Sequence, residues 1–370
     1  MAQFGATTAL VSMVLSVFMA GLGLGSWGSG RLLRKYGEHM RVPARLYALI
    51  ELLIGVSAIA VPYELTCGRN VLEQMGAASS LGYHFASGVC VALALIPWCA
   101  LMGATIPVAM KTIGQSLRQE SPRSFSFLYM ANVIGAVAGT ELPLFLIEVF
   151  GFRGTLHVGA ALNGLLALSV FILTLRGRVV ESNAAEAKAP LVQASYGTVE
   201  VVPSRESDEK TFLVLLFTTG LTSMGMEVVW IRQFTPYVGT MVYAFASILA
   251  VYLTATFVGS RIYRRWSRGR RRQETHWVWI LLGLAALLPL ITASPVIHLA
   301  KGLRLALGIA PFTGILGFIT PMLVDRWAGG SPARAGSAYA INVAGCILGP
   351  LLSGFLLLPF MSERWAMFVQ

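Results

Sequence analysis

Residues 5–26 read GATTALVSMVLSVFMAGLGLGS, and residues 239–260 read GTMVYAFASILAVYLTATFVGS. Neither stretch contains Asp, Glu, Lys or Arg. A helix rising about 1.5 Å per residue needs ~20 apolar residues to cross ~30 Å of hydrocarbon, and each stretch supplies them. Lipid offers no partner to a backbone amide, so a segment that crosses it pairs its amides internally and is helical. The two stretches also match each other, with Gly25-Ser26 over Gly259-Ser260. They therefore predict membrane-spanning helices and a chain whose plan is written twice.

The rest of the sequence extends both readings. Of 370 residues, 56% are hydrophobic and 12% charged, against about 25% charged in soluble domains. Mean hydropathy is +0.70. Spans are expected at 6–30, 46–62, 85–110, 125–150, 154–175, 211–231, 240–260, 277–296, 303–324 and 335–359, with a further one starting near Trp365. The expected class is an all-α polytopic membrane protein of ten spans and a C-terminal stub.

Two more motif pairs continue the repeat. LMGATIPVAMK (101–111) matches ILGFITPMLVD (315–325), placing Pro107 over Pro321. LYMANVIGAVAG (128–139) matches AYAINVAGCILG (338–349), placing Asn132, Gly135 and Gly139 over Asn342, Gly345 and Gly349. The offsets are 234, 214 and 210; order is kept while the loops shorten. Matched spans cross in one direction, so the repeat is parallel, the plan of major-facilitator transporters with two six-helix halves. Residues 1–176 make the first half with five spans, 177–210 a polar linker, and 211–370 the second half with five spans and the start of a sixth. Helix 211–231 has no counterpart ahead of Gly5, so the parent plan is expected to have twelve helices.

A net charge of +11 invites a polyanion reading, which the positions of the charges oppose. Taking alternate loops as one side, that side holds 22 of the 28 basic residues. Such an excess marks the cytoplasmic face. The linker 177–210 and the arginine run 264–272 are therefore expected in the cytoplasm, within a bacterial inner (plasma) membrane, and no nucleic-acid partner is expected. The arginine run can also touch anionic lipid headgroups. Residues 1–30 have neither a basic n-region nor an A-x-A site, so no signal peptide is expected. Cys67, Cys90, Cys99 and Cys346 lack C-x-x-C spacing, and no disulfide, metal or cofactor is expected.

Glu51, Glu141 and Glu227 fall inside apolar spans. A charge at mid-membrane costs roughly 2.5–3.5 kcal/mol on insertion scales. These acids are thus expected either to line a solute- or proton-binding cavity or to form buried structural pairs. Glu227 is expected nearer an interface than the other two, and Glu51 and Glu141 to face the interior between the halves. Asn132 and Asn342 are expected to hydrogen-bond across the interface between halves, or to join the solute site. The pairs Gly21/Gly25, Gly135/Gly139 and Gly345/Gly349 form G-x-x-x-G, which lets helix backbones approach. The run GLGLGSWGSG ends an uncharged helix with no preceding strand, which argues against a dinucleotide loop. Arg31, Arg34 and Lys35 form a basic loop that either gates the cytoplasmic side or only fixes topology.

The motif series also carries a resemblance. FMAGLGLGSWGSGRLLRKYG (18–37), LYALIELLIG (46–55), LMGATIPVAMK, LYMANVIGAVAGTELPLF (128–145), GFRGTL (151–156) and GLTSMGMEVVWIRQF (220–234) together resemble the membrane region of membrane-bound spermidine-synthase-like proteins. In that family a major-facilitator-like domain is fused to a cytoplasmic aminopropyltransferase-like domain. The resemblance implies a transporter-like module for a small cationic, polyamine-like solute. It equally implies a membrane anchor or substrate-delivery module for an aminopropyltransferase-like domain or subunit. The chain departs from the family in lacking the usual first helix and the synthase-like domain, so enzymatic activity is not assigned to it. No nucleophile–base pair or metal cluster is visible in the sequence, and the lipid bilayer is the one partner expected outright.

Overall fold

The computed structural model describes residues 7–36, 43–75, 80–116, 122–184, 206–267, 276–328 and 332–369. The elements in chain order are α1 (Thr8–Tyr36), α2 (Pro43–Met75), α3 (Ser80–Ser116), α4 (Pro122–Ala184), α5 (Glu206–Val238) and α6 (Met241–Ser267). There follow α7 (His276–Ala286), α8 (Leu288–Thr292), α9 (Lys301–Ala328), α10 (Pro332–Leu351), a π-helical turn (Leu352–Leu357), α11 (Leu358–Phe360) and α12 (Glu363–Val369). The described part is an all-α polytopic membrane protein.

Among the described residues, eight helices are long and apolar enough to cross a membrane. The difference from ten spans lies in two places. Spans expected at 125–150 and 154–175 follow one another directly as two helices within α4 that meet at a kink, the apolar part running Ile134–Leu175. Only Gly151 breaks it, at φ +69° and ψ 176°. Glycine holds that φ without a Cβ clash, so one residue suffices to join two spans. The span expected at 277–296 is shorter, an apolar stretch Trp277–Thr292 divided between α7 and α8. Of the polar linker at 177–210, residues 177–184 continue α4 and 206–210 open α5; residues 185–205 lie outside the described set.

The repeat is visible in how glycines are used. On the α1–α3 contact, a methyl at Gly25 would strike the Ala100 carbonyl, and one at Gly103 would strike the Leu22 backbone. On the α6–α9 contact, a methyl at Gly259 would strike the Gly314 carbonyl, and one at Gly317 the Thr256 backbone. The second set is the first moved by the sequence offsets of 234 and 214. One close helix crossing has been built twice.

Directions follow from the contact order. Gly354 lies against Ser12, Ile347 accepts a hydrogen bond from Ser16, and Val343 lies nearest Gly23, so α1 and α10 are antiparallel. Asn342 meets Leu216, Gly345 meets Phe217 and Gly349 meets Leu221, so α5 and α10 are parallel. The chain returns from α5 into α6 through Gly239, at φ +123°, and Thr240. Hence α1 and its image α6 cross in the same direction. The halves meet where α1 packs on α10 and where α6 packs on α4. Because α6 is the image of α1, and α10 of the first part of α4, a half-turn exchanges these two contacts.

Candidate intramembrane polar site

α5 carries Thr219, Ser223 and Glu227 at four-residue steps, which puts all three on one helical face. All three are buried. Polar groups of α6 and α10 meet this stripe. Asn342 Nδ2 on α10 donates to the Leu216 carbonyl at 2.8 Å and to Thr219 Oγ1 at 3.4 Å. Cys346, one turn further, lies 3.9 Å from Asn342 Oδ1. Ser223 Oγ and the Tyr252 hydroxyl of α6 are 2.5 Å apart. Glycine makes this approach possible: a methyl at Gly220 would strike the Asn342 carbonyl, and methyls at Gly345 and Gly349 would strike the α5 backbone.

Glu227 closes the stripe. Its residue exposure is 1%, and its Oε1 is buried without a hydrogen-bond partner among the described residues. Trp230 Nε1 is likewise buried without one. An unpaired carboxylate held away from water costs several kcal/mol. A proton or a small cation at Oε1 would remove that cost; Ser223, one turn before Glu227 on α5, is paired with the Tyr252 hydroxyl. The surroundings are rigid, with Trp230 edge-on to Phe312 at 5.7 Å between ring centres.

The other acids fare differently. Glu51 is buried and takes a hydrogen bond from Tyr47, one turn earlier on α2. It lies in the first half beside the cluster of Ile50, Ala104 and Val108, away from the stripe of Glu227. Glu141 is exposed on α4. The interior placement expected of it does not hold, because the neighbouring face of α4, with Ile134, Leu142 and Phe145, is itself uncovered. Glu227, expected nearer an interface, is the most buried of the three.

Asn342 bonds within its own half, α10 to α5, rather than across the interface expected for it; the Asn132 side chain lies outside the described set. Gly21 and Gly25 pack on α3, and Gly345 and Gly349 on α5, as expected of packing glycines. Gly135 and Gly139 depart from that expectation, with no neighbour within 4 Å of an added Cβ. Arg31 is exposed and lies over the Trp27 ring at 5.3 Å. Arg34 and Lys35 belong to the last turns of α1, their side chains outside the described set.

Sequence reasoning passed over Ser223, Tyr252 and Trp230, although the polar four-residue stripe Thr219–Ser223–Glu227 was a readable signal. It also passed over Arg304. This arginine is 5% exposed. It donates to the carbonyls of Thr292, Ser294 and Ile297 and lies 4.1 Å from the Tyr237 ring centre. Tyr237 in turn donates to the Ala293 carbonyl at 2.6 Å. The pair holds the turn after α8. Nearby, Arg232 pairs with Glu363 at 2.6 Å and donates to the Leu358 carbonyl at 3.2 Å, fastening α12 to α5.

Among the described residues, several contacts between the halves lie toward one end of the bundle, while Gly23 meets Val343 further along α1. Ser16 donates to the Ile347 carbonyl at 2.7 Å and Ser12 lies against Gly354. His84 meets Phe355 edge-on at 6.1 Å, and Tyr243 donates to Glu148 Oε1 at 2.6 Å. These residues belong to the starts of α1, α3 and α6, to the stretch of α4 just before Gly151, and to the end of α10 with the turn after it. That end is opposite to the arginine-rich one.

Fold and site together define a polytopic α-helical membrane protein of two repeated halves with a buried, unsatisfied acid beside their interface. No protein-family model matches the chain, and no curated protein matches it. Among solved structures, the nucleoside transporter NupG is 14% identical, with 98% of this chain and 94% of that one covered at a TM-score of 0.45. A bacterial homologue of the human lysosomal transporter Spinster, inward-facing and unoccupied, is 12% identical, with 94% and 81% covered at a TM-score of 0.44.

Proposed function

We propose that the chain is a membrane transport module in which two repeated halves rock about their shared interface and carry a small solute past Glu227. The observation that supports this most is the repeat itself, with α1 on α10 and α6 on α4 as two matching contacts between the halves. Two like bodies joined through a pair of matching contacts can rock about them, which is the motion alternating access needs. Glu227 supplies the chemistry, a buried acid that a proton or an organic cation neutralises. Glu51, with its Tyr47 partner, is a second acid of this kind in the first half. Asn342, in the same stripe as Glu227, and Asn132, its image in the first half, complete the set of residues assigned to solute or proton handling; Glu141, exposed on α4, is left out of it. Arg31, Arg34 and Lys35 form the gate on the arginine-rich side, which we assign to the cytoplasm. The motif resemblance favours a small cationic, polyamine-like solute.

The test is uptake of labelled putrescine and spermidine into proteoliposomes, with and without a proton gradient. Uptake by the unaltered chain should fall at least about tenfold in Glu227→Gln, equivalent to ~1.4 kcal/mol, with the melting temperature unchanged. Uptake indifferent to Glu227→Gln removes the role given to that acid. Absence of uptake for any small amine, alongside capture of an aminopropyltransferase-like subunit that gains activity on binding, would favour the second reading, a membrane anchor or delivery module. The motif series 18–37 to 220–234 is what keeps that reading in play.

A further inference from the structure

A trough runs along the outside of the second half. On α6, Thr254, Val258 and Ile262 line it at four-residue steps; on α9, Ala306, Ala310 and Gly314 do the same, and α7 adds Trp277. It encloses about 760 Å³. Thr254, Val258, Ile262 and Trp277 are all exposed, so the trough opens sideways. For a membrane protein, sideways means hydrocarbon. Along α6 the lining extends from Ala250 to Ile262, roughly 18 Å at ~1.5 Å per residue. One leaflet contributes about half of a ~30 Å hydrocarbon core. The trough is therefore about as long as one leaflet is deep.

Its end is charged. Beyond Ile262, α6 finishes with Arg264 and Arg265 in its last turn, and Arg261 lies one residue before. The sequence continues with Arg268, Arg270, Arg271 and Arg272. Asp325 of α9, at this end, accepts a hydrogen bond from Tyr263 at 2.9 Å. Trp277, a residue type that settles at membrane–water boundaries, marks the same level on α7. Carbon along the length and arginine at the mouth match a single kind of molecule, one with an acyl chain and an anionic head.

The geometry points to a binding site for an anionic phospholipid from the leaflet on the arginine-rich face. The phosphate sits at Arg261, Arg264 and Arg265, and one acyl chain lies in the trough between α6, α7 and α9. The first half provides an internal control. Its trough, between α1, α3 and α10, holds about 520 Å³ and uses the image residues Ser16, Val17, Ala20, Ala92 and Ile96. Neither trough has an arginine or lysine in its lining; the second-half one ends at Ile262, just before Arg264 and Arg265 on α6, whereas the first-half one runs toward the other end of the bundle. Similar walls without a basic mouth should hold chains without choosing heads.

The experiment is lipid binding to the purified full chain by native mass spectrometry. Dioleoyl phosphatidylglycerol is compared with dioleoyl phosphatidylcholine, and glycerol 3-phosphate is the competitor without chains. Phosphatidylglycerol should bind several-fold more tightly. Arg264→Gln and Arg265→Gln should each cost it about fivefold, the effect of one cationic side chain at an anionic surface, and leave phosphatidylcholine unchanged. Thr254→Phe, which fills the trough from its exposed side, should weaken both lipids, whereas Ala92→Phe in the first half should leave the head preference intact. Equal binding of the two lipids by the unaltered chain overturns the proposal whatever the variants do. So does full displacement by glycerol 3-phosphate together with indifference to Thr254→Phe, which would mean a small-anion site without a chain.

Discussion

α10 and the first part of α4 carry one motif, Tyr-x-x-Asn-Val-x-Gly-x-x-x-Gly, and the molecule treats the two copies differently. On α10, Gly345 and Gly349 lie so close to α5 that an added methyl would enter its backbone. On α4, Gly135 and Gly139 meet nothing within 4 Å, and Ile134 and Phe145 around them are 60% and 64% exposed. A small-residue stripe therefore states that a helix face can be approached closely. Whether it is approached depends on the neighbour, which lies elsewhere in the sequence.

The largest effect should come from adding bulk to the two copies. Gly349→Leu forces α10 off α5 and should cost about 3 kcal/mol or more, the upper range for overpacking. Gly139→Leu points into open space and should be tolerated within about 0.5 kcal/mol. Melting temperature and monodispersity in detergent measure both. Equal damage at Gly139 would mean that its face is covered in the purified protein, and the contrast would vanish. A smaller version applies to the crossing that is built twice. Gly25→Val and Gly259→Val should each destabilise by about 2 kcal/mol and by similar amounts. A large inequality would show that the two crossings are alike in outline only.

What was legible in the sequence follows the same division. The apolar runs fixed the helices because burial in lipid is a property of each segment alone. The α1–α3 and α6–α9 crossings were legible because each pair of motifs contains both sides of its own contact. The fate of Gly135 and Gly139 was not, since the decisive helix is α5 on one copy and none is described on the other. Depth ran into the same obstacle. Glu141 and Glu227 both sit in uncharged surroundings, yet one is exposed and the other buried because α6 and α10 flank only the second. Gly151 was legible as a break between two spans, but not that one residue makes the break, since a glycine after Val149-Phe150 reads equally as a longer loop. Arg304 stood alone in the sequence, and its three carbonyl partners come from an irregular turn that no periodicity announces.

Within the closed copy, the side-chain contribution should be modest. Asn342→Ala removes the bonds to the Leu216 carbonyl and Thr219 Oγ1 and should cost about 1 kcal/mol, typical of polar contacts between membrane helices. Denaturant titration of the purified chain reads this directly. A cost near that of Gly349→Leu would place the stability of the α5–α10 contact in its hydrogen bonds rather than in backbone proximity.

The smallest effect tests the interface between the halves, where the half-turn that relates the copies makes two contacts comparable. Tyr243 of α6 donates to Glu148 of α4, and Ser16 of α1 donates to the Ile347 carbonyl of α10. Both bonds tie the halves at the same end. Neither should matter much to folding, since a hydrogen bond contributes about 0.5–1.5 kcal/mol net and the Tyr243–Glu148 pair is exposed. If the halves rock, the same energy appears instead as a change in the ratio of closed to open forms, about two- to tenfold. Tyr243→Phe and Ser16→Ala should each populate the form opened at this end, and the double variant should add their effects, because the contacts lie on different helix pairs. Spin labels at Phe152 and Val296, exposed positions in opposite halves, report the distance. A longer-distance population that grows in each variant is the expected result. A distance distribution unchanged in both variants, with a lowered melting temperature, would make these contacts fixed struts and the halves a single rigid body.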